Sequence, residues 1–315
     1  MKRLLALCLI AAMTPAISVA EGAHNHGSHS GHVGNTMMPP PQALQQLNIV
    51  RNAIQRYQDI AVAKAEGWKA FGGDEPLMGQ HWHLKDGPGE YISGDTLDYT
   101  RPSNLMYSEI DDRWVLTGVS FNVRIASGEP VPEGFAGRAD IWHVHDFDKA
   151  MMAATEERPL LRWLANGWLD DNMRNDGRSS VAMVHAWVTI PNPDGPFANH
   201  NRVLPYLKLG LPVSHANDAS MEAARGLTLA TKDGCKRYYE GRLWIATATW
   251  RHKRTIRRAC DAAAEIVRGV LNMDRLTINR VAEEQFRSMS QVYQSNLNPE
   301  QHARVAAMAE HGSGH

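Results

Sequence analysis

The sequence predicts an α+β protein. Its core is a mixed or antiparallel β-sheet, or a small barrel, that carries histidines, with a helix before it and a helical region after it. Three observations point there. Two His-x-His triplets sit among β-formers, in Gln80-His81-Trp82-His83-Leu84 and in Asp140-Ile141-Trp142-His143-Val144-His145-Asp146-Phe147, and a third strand-like run, residues 181–188, carries His185. Apolar residues ahead of them recur at three- and four-residue steps, and from about Asn217 onward the spacing is helical almost throughout. With 315 residues the chain can bury a sizeable core in one or two domains.

Residues 1–20 read as a secretory signal, with Lys2 and Arg3 ahead of a short apolar run, Leu4 to Ala12, and small residues at Ser18-Val19-Ala20. That run is well short of the roughly 20 residues that span a bilayer. No later segment is apolar enough to do so, and the expected location is a bacterial periplasm. Cys8 would leave with the signal, so Cys235 and Cys260 remain, and an oxidising compartment predicts one disulfide stapling neighbouring helices. A net charge of −1 and a pI near 7.0 give no electrostatic case for nucleic acid or an anionic membrane surface.

Residues 21–41 have too little apolar content to fold alone and read as a disordered tail with His24, His26, His29, His32, Met37 and Met38. Such a tail can capture copper or zinc loosely, and His302, His311 and His315 repeat the device at the other end, with 311–315 as a second tail. From Gln42 to about Glu66 the positions of Leu44, Leu47, Val50, Ile54, Tyr57 and Ala61 predict one amphipathic helix stopped at Gly67. A glycine-rich loop, Phe71-Gly72-Gly73-Asp74, leads into the first triplet. Residues 105–110 and 114–123 predict a β-hairpin turning at Asp111-Asp112. A Pro/Gly loop over 126–137 precedes the second triplet, a punctuated helix runs from Phe147 to about Trp168, and Asp170 to Ser180 reads as polar loop. Residues 191–201 are turn-forming throughout. The expected division is a metal-binding α/β domain over 42–212 and a helical region over 217–310.

Alternation in a strand places residues i and i+2 on one face, about 7 Å apart. His81 with His83, and His143 with His145, therefore each offer two imidazoles to one side, and His185 adds a fifth. Neutral imidazole suits zinc, copper, nickel and ferrous iron, and a bound ion needs three or four donors converging on one point. The predicted metal ligands are thus drawn from His81, His83, His143, His145 and His185. Asp140, Asp146 and Glu90 are candidates to orient an imidazole through its other N–H, and His200 is a weaker candidate ligand. Trp82 and Trp142, falling between the paired histidines, are expected to face the core. The basic run Arg251 to Arg258 reads as a solvated helix face.

Several resemblances bear on this pattern. His81-Trp82-His83 resembles a fragment of the multicopper oxidases, but neither Cys235 nor Cys260 has the adjacent histidine that family requires. With Gly79-Gln80 before it and Glu90 beyond, it also resembles the cupin signature at a longer spacing, and no His-Glu-x-x-His zincin motif is present. Met78-Gly79-Gln80-His81, Val184-His185-Ala186-Trp187 and Asn192-Pro193-Asp194-Gly195-Pro196-Phe197 are similar to a group of exported, largely uncharacterised bacterial proteins with Met-Gly-x-His, Leu-His-x-Trp and Asn-Pro-x-Gly-x-Phe segments. That resemblance implies that His81 and His185 belong to one site. Leu297-Asn298-Pro299-Glu300-Gln301 is similar to the LTxxQ element of Spy/CpxP-type periplasmic helical proteins. The same residues also make an ordinary helix start, with Asn298 as N-cap, Pro299 at N1 and Gln301 at N3.

The expected function is transition-metal binding, copper or zinc, in periplasmic metal homeostasis or resistance, with a metal-handling protein as partner. The alternative is a mononuclear metalloenzyme whose histidine-held ion activates water or dioxygen.

Overall fold

A computed structural model describes residues 39–84, 97–138, 140–238 and 246–312. The expected secretory signal over 1–20, the histidine-rich stretch up to residue 38, Glu90 and His315 lie outside them. Among the described residues no helix is long and apolar enough to cross a membrane.

The fold is α+β: a six-stranded antiparallel half-barrel with buried histidines, an N-terminal helix and a helical C-terminal region. The strands are β1 (Lys69–Glu75), β2 (Gly79–His83), β3 (Asn104–Ile110), β4 (Arg113–Ile125), β5 (His143–Asp146) and β6 (Ser180–Ala186). Their order across the sheet is β1-β2-β3-β4-β6-β5, with every neighbouring pair antiparallel. The β3–β4 hairpin turns where expected. Asp111 and Asp112 have φ of +49° and +58°, the pair of positive values that a two-residue turn matched to the strand twist requires.

Three expectations are corrected. The Phe71-Gly72-Gly73-Asp74 segment is not a loop but part of β1. Gly72 at φ +69° and a register shift between Phe71 and Glu75 let a glycine-rich stretch pair with β2 as a bulged edge strand. The N-terminal helix is broken. Helix α1 (Pro41–Ile54) passes through a 3₁₀ turn to Asp59, which leaves the helical conformation and caps a short α2 (Ile60–Ala65) by accepting from Ala61 N at 2.9 Å. Ala43 and Ala63 are buried, whereas Leu44 and Ala61 are exposed. Finally, helix continues into the expected polar stretch as far as Arg174.

Alternation divides the sheet into two chemistries. Trp82, Leu105, Tyr107, Val119, Phe121, Val123, Ala182, Val184 and Ala186 face the main apolar core, where they meet Leu47, Val50 and Ile54 of α1. The residues between them, His81, Met106, Ser120, Asn122, Met183 and His185, point the other way. The remaining helices are α3 (Phe147–Ala154), α4 (Pro159–Leu169), α5 (Val203–Lys208), α6 (Met221–Ala230), α7 (Trp250–Gly269), α8 (Arg275–Ser295) and α9 (Pro299–Gly312). Of these, α3, α5 and α9 meet strands, whereas α6, α7 and α8 pack on one another. Leu204 of α5 packs on Met106 and Trp187, Val181 of β6 joins the α3–α4 cluster, and α9 lies against β5 and α3.

The expected disulfide joins Cys235 to Cys260 of α7, and the basic run of α7 is exposed around the buried Ile256. Asn298 and Gln301 form a reciprocal capping box at the start of α9: Gln301 N donates to Asn298 Oδ1 (2.9 Å) and Asn298 N to Gln301 Oε1 (3.0 Å). A helix start thus accounts for these residues. Replacing Asn298 by Ala is expected to cost about 1 kcal/mol, read as a lower denaturation midpoint.

Candidate metal centre

The histidine face is assembled from β2, β5 and β6 and the loop after β6. Gly79 opens β2 at φ +84°, and a Cβ there would lie 2.7 Å from the Tyr107 carbonyl oxygen. Only glycine lets β2 lie this close to β3, with His81 opposite Met106. In β6, His185 is opposite Ser120 of β4, while Met183 is opposite both Asn122 of β4 and His143 of β5.

The turn-forming segment after β6 positions His185. Trp187 donates its backbone N–H to Pro196 O (2.8 Å) and its indole Nε1–H to Ala198 O (2.6 Å). One residue further along, Asn199 O accepts from His185 Nδ1 at 2.8 Å. A carbonyl can only accept, so the proton is on Nδ1 and the Nε2 lone pair faces away from the loop, the tautomer of an imidazole ready to ligate. The loop is itself held. Asn192 Nδ2 donates to His200 O (2.7 Å), Gly195 takes φ +100°, and Phe197 packs against Phe135 in the main core at 4.5 Å. Asn201, fully buried, donates from N to Leu77 O (2.8 Å) and from Nδ2 to Ile190 O (3.2 Å), so the lead into His81 and the loop around His185 share one hub.

The rings cluster. His81 and His185 have centroids 5.6 Å apart, His143 and His185 5.0 Å, and His143 and His145 4.9 Å. His81 Nε2, His143 Nδ1 and His185 Nε2 are buried with no hydrogen-bond partner among the described residues. Burial first, and then His145 and His83, hold His81 down to about 4. Burial also keeps His143 and His185 well below the ordinary histidine value, reinforced chiefly by His145 for the first and His81 for the second. His200 acts on both and so lies close to the group. Buried ring nitrogens without a hydrogen-bond partner among the described residues are an unusual thing to find, since each unmade hydrogen bond costs about 1–3 kcal/mol.

The other sequence-named residues are placed differently. His83 closes β2 on the face of His81, on which it acts, with its ring on Phe71 at 5.6 Å. Asp140 accepts from Phe135 N and Trp142 Nε1, and Asp146 caps α3 through Lys149 N. These hydrogen bonds come from main-chain and indole N–H groups and not from an imidazole. The orienting group is the Asn199 main-chain oxygen, which no side-chain pattern announces. Trp82 is in the core as expected, and Trp142 is partly buried against it. His302 is spoken for, its Nε2 bonded to Gln294 O at 2.8 Å. Among the described residues no three His, Cys, Asp or Glu side chains form a ready-made ligand set.

Comparison of the chain with protein-family models, with curated proteins and with solved structures returns no match.

Proposed function

We propose that the protein binds a transition-metal ion, copper or zinc, through the histidine cluster, and serves metal homeostasis or resistance in the periplasm in concert with a metal-handling partner there. The observation that carries the reading is the trio His81 Nε2, His143 Nδ1 and His185 Nε2, from three strands, buried and without partners among the described residues. Ring spacing supports it. Imidazoles sharing a tetrahedral ion at about 2.0–2.1 Å have ring centres roughly 5 Å apart, and the separations in this fold are 5.0 and 5.6 Å. Closing a ligand set then asks for rotation of side chains rather than movement of strands. The disulfide suits an oxidising compartment.

Binding rather than turnover is the preferred form of the proposal, because histidine-rich stretches such as 24–32 suit the collection of an ion and have no evident use in turnover. Elemental analysis of protein purified from metal-supplemented cells tests it. About one equivalent of copper or zinc is expected in the native chain and background levels in a His143→Ala/His185→Ala variant that still folds. A metal-free native protein, or equal metal in both, sinks the proposal.

A further inference from the structure

We infer that the ion is monovalent copper and that the Met183 thioether is one of its ligands. This rests on the metal-binding reading above and narrows it.

The register supplies the first argument. Met106 is the cross-strand partner of His81, and Met183 that of His143. Directly opposed residues of an antiparallel pair share a face, with Cβ atoms about 4.5–5.5 Å apart. Met183 is also two residues from His185 on the same strand and therefore on its face as well. The two methionines are used differently. Met106 is fully buried and packs with Trp187 and Leu204. Met183 is half-buried and belongs to none of the apolar clusters of the described residues. A long, polarisable side chain at a strand position opposite His143 and two residues from His185, outside the apolar clusters of the described residues, is placed to act as a donor.

Charge supplies the second. The groups that act on His81, His143 and His185 are neutral-capable imidazoles. Asp140 and Asp146 are turned to other partners, and Asp194, which feels His200, is paired with Arg202 at 3.1 Å. The cost of desolvating an ion rises with the square of its charge, so a divalent ion costs about four times as much as a monovalent one of equal size. A buried site of neutral nitrogen donors without a carboxylate therefore favours the lower charge. Sulfur settles the softness. Cys235 and Cys260 are consumed in the disulfide, leaving thioether as the available sulfur ligand among the described residues, and thioether with imidazole selects Cu(I).

The test uses the full chain with its disulfide intact. It is titrated anaerobically with Cu(I) held reduced by ascorbate, against a chromophoric Cu(I) chelator, and in parallel with Zn(II). Tighter binding of Cu(I) than of Zn(II) is expected, with a sulfur scatterer in the X-ray absorption spectrum of the native complex. Met183→Leu, which keeps the bulk and removes the sulfur, is expected to weaken Cu(I) by about 10- to 100-fold or more, the range over which even outer contacts tune a metal site, and to leave Zn(II) unchanged. Met106→Leu is expected to change neither. Native protein that binds Cu(I) without a sulfur scatterer, or Met183→Leu with undiminished Cu(I) affinity, overturns the ligand assignment. A preference for Zn(II) overturns the copper assignment while leaving the metal site standing. Binding of neither ion removes the parent proposal too.

Discussion

Replacing Trp187 by alanine is expected to destabilise the protein by about 3–5 kcal/mol, the usual loss for a large aromatic cut from a core. The side chain is buried, packs on Met106 and Leu204, and meets the His185 ring at 5.7 Å. Its indole N–H is also bonded to Ala198 O at 2.6 Å. Truncation leaves both a cavity and an unpaired carbonyl next to the residue whose own carbonyl orients His185. Trp187→Phe separates the two effects, because it refills most of the space and loses only the hydrogen bond, for about 1 kcal/mol. Denaturant titration of both variants reads the difference. If the alanine variant were as stable as the native chain, the loop's role as a clamp on the histidine face would be wrong.

The second large effect is on pH. Metal-free protein is expected to lose stability as the pH falls from about 6.5 towards 4. The His81 imidazole goes from 6.5 when unfolded to about 4 when folded, so the folded chain resists protonation there. A group held low in this way contributes stability that is complete above the unfolded value and is lost as the pH falls through the folded one. Two and a half pH units correspond to about 3 kcal/mol, and His143 and His185 are shifted in the same direction by the same burial. Urea midpoints measured from pH 7 to pH 4 test it. The double His143→Ala/His185→Ala variant is expected to show a shallower fall. Equal slopes would mean that the acid sensitivity arises elsewhere.

What could be read in the amino-acid order was local. His-x-His alternation, the Asp111-Asp112 hairpin and the Asn298–Gln301 helix start each depend on contacts within a few residues, where periodicity and capping rules are strong. The pairing of β4 with β6, and of β6 with β5, joins segments separated by a long loop and two helices. No periodicity encodes such a contact, which is why Met106 and Met183 went unnoticed beside the histidines they face. Phe71-Gly72-Gly73-Asp74 misleads for a related reason: glycine signals a turn in isolation, yet here it serves a bulged edge strand held by its neighbour. Asp59 broke a helix whose apolar spacing continued across it, because a side chain that caps competes with the backbone it interrupts. The role of Asn199 was invisible because its contribution to His185 is a main-chain oxygen, and main-chain atoms carry no residue signature.

β5 is four residues long and sits at the margin of the sheet, beyond β6. Two of the clustered imidazoles hang from it. A short border strand is the piece of a sheet that detaches at least cost, so an ion gripping His143 and His185 together would also fasten that border to its neighbour. Loading and folding would then be one equilibrium seen from two sides: a full site would be a closed seam, and release of the ion would begin with four residues letting go.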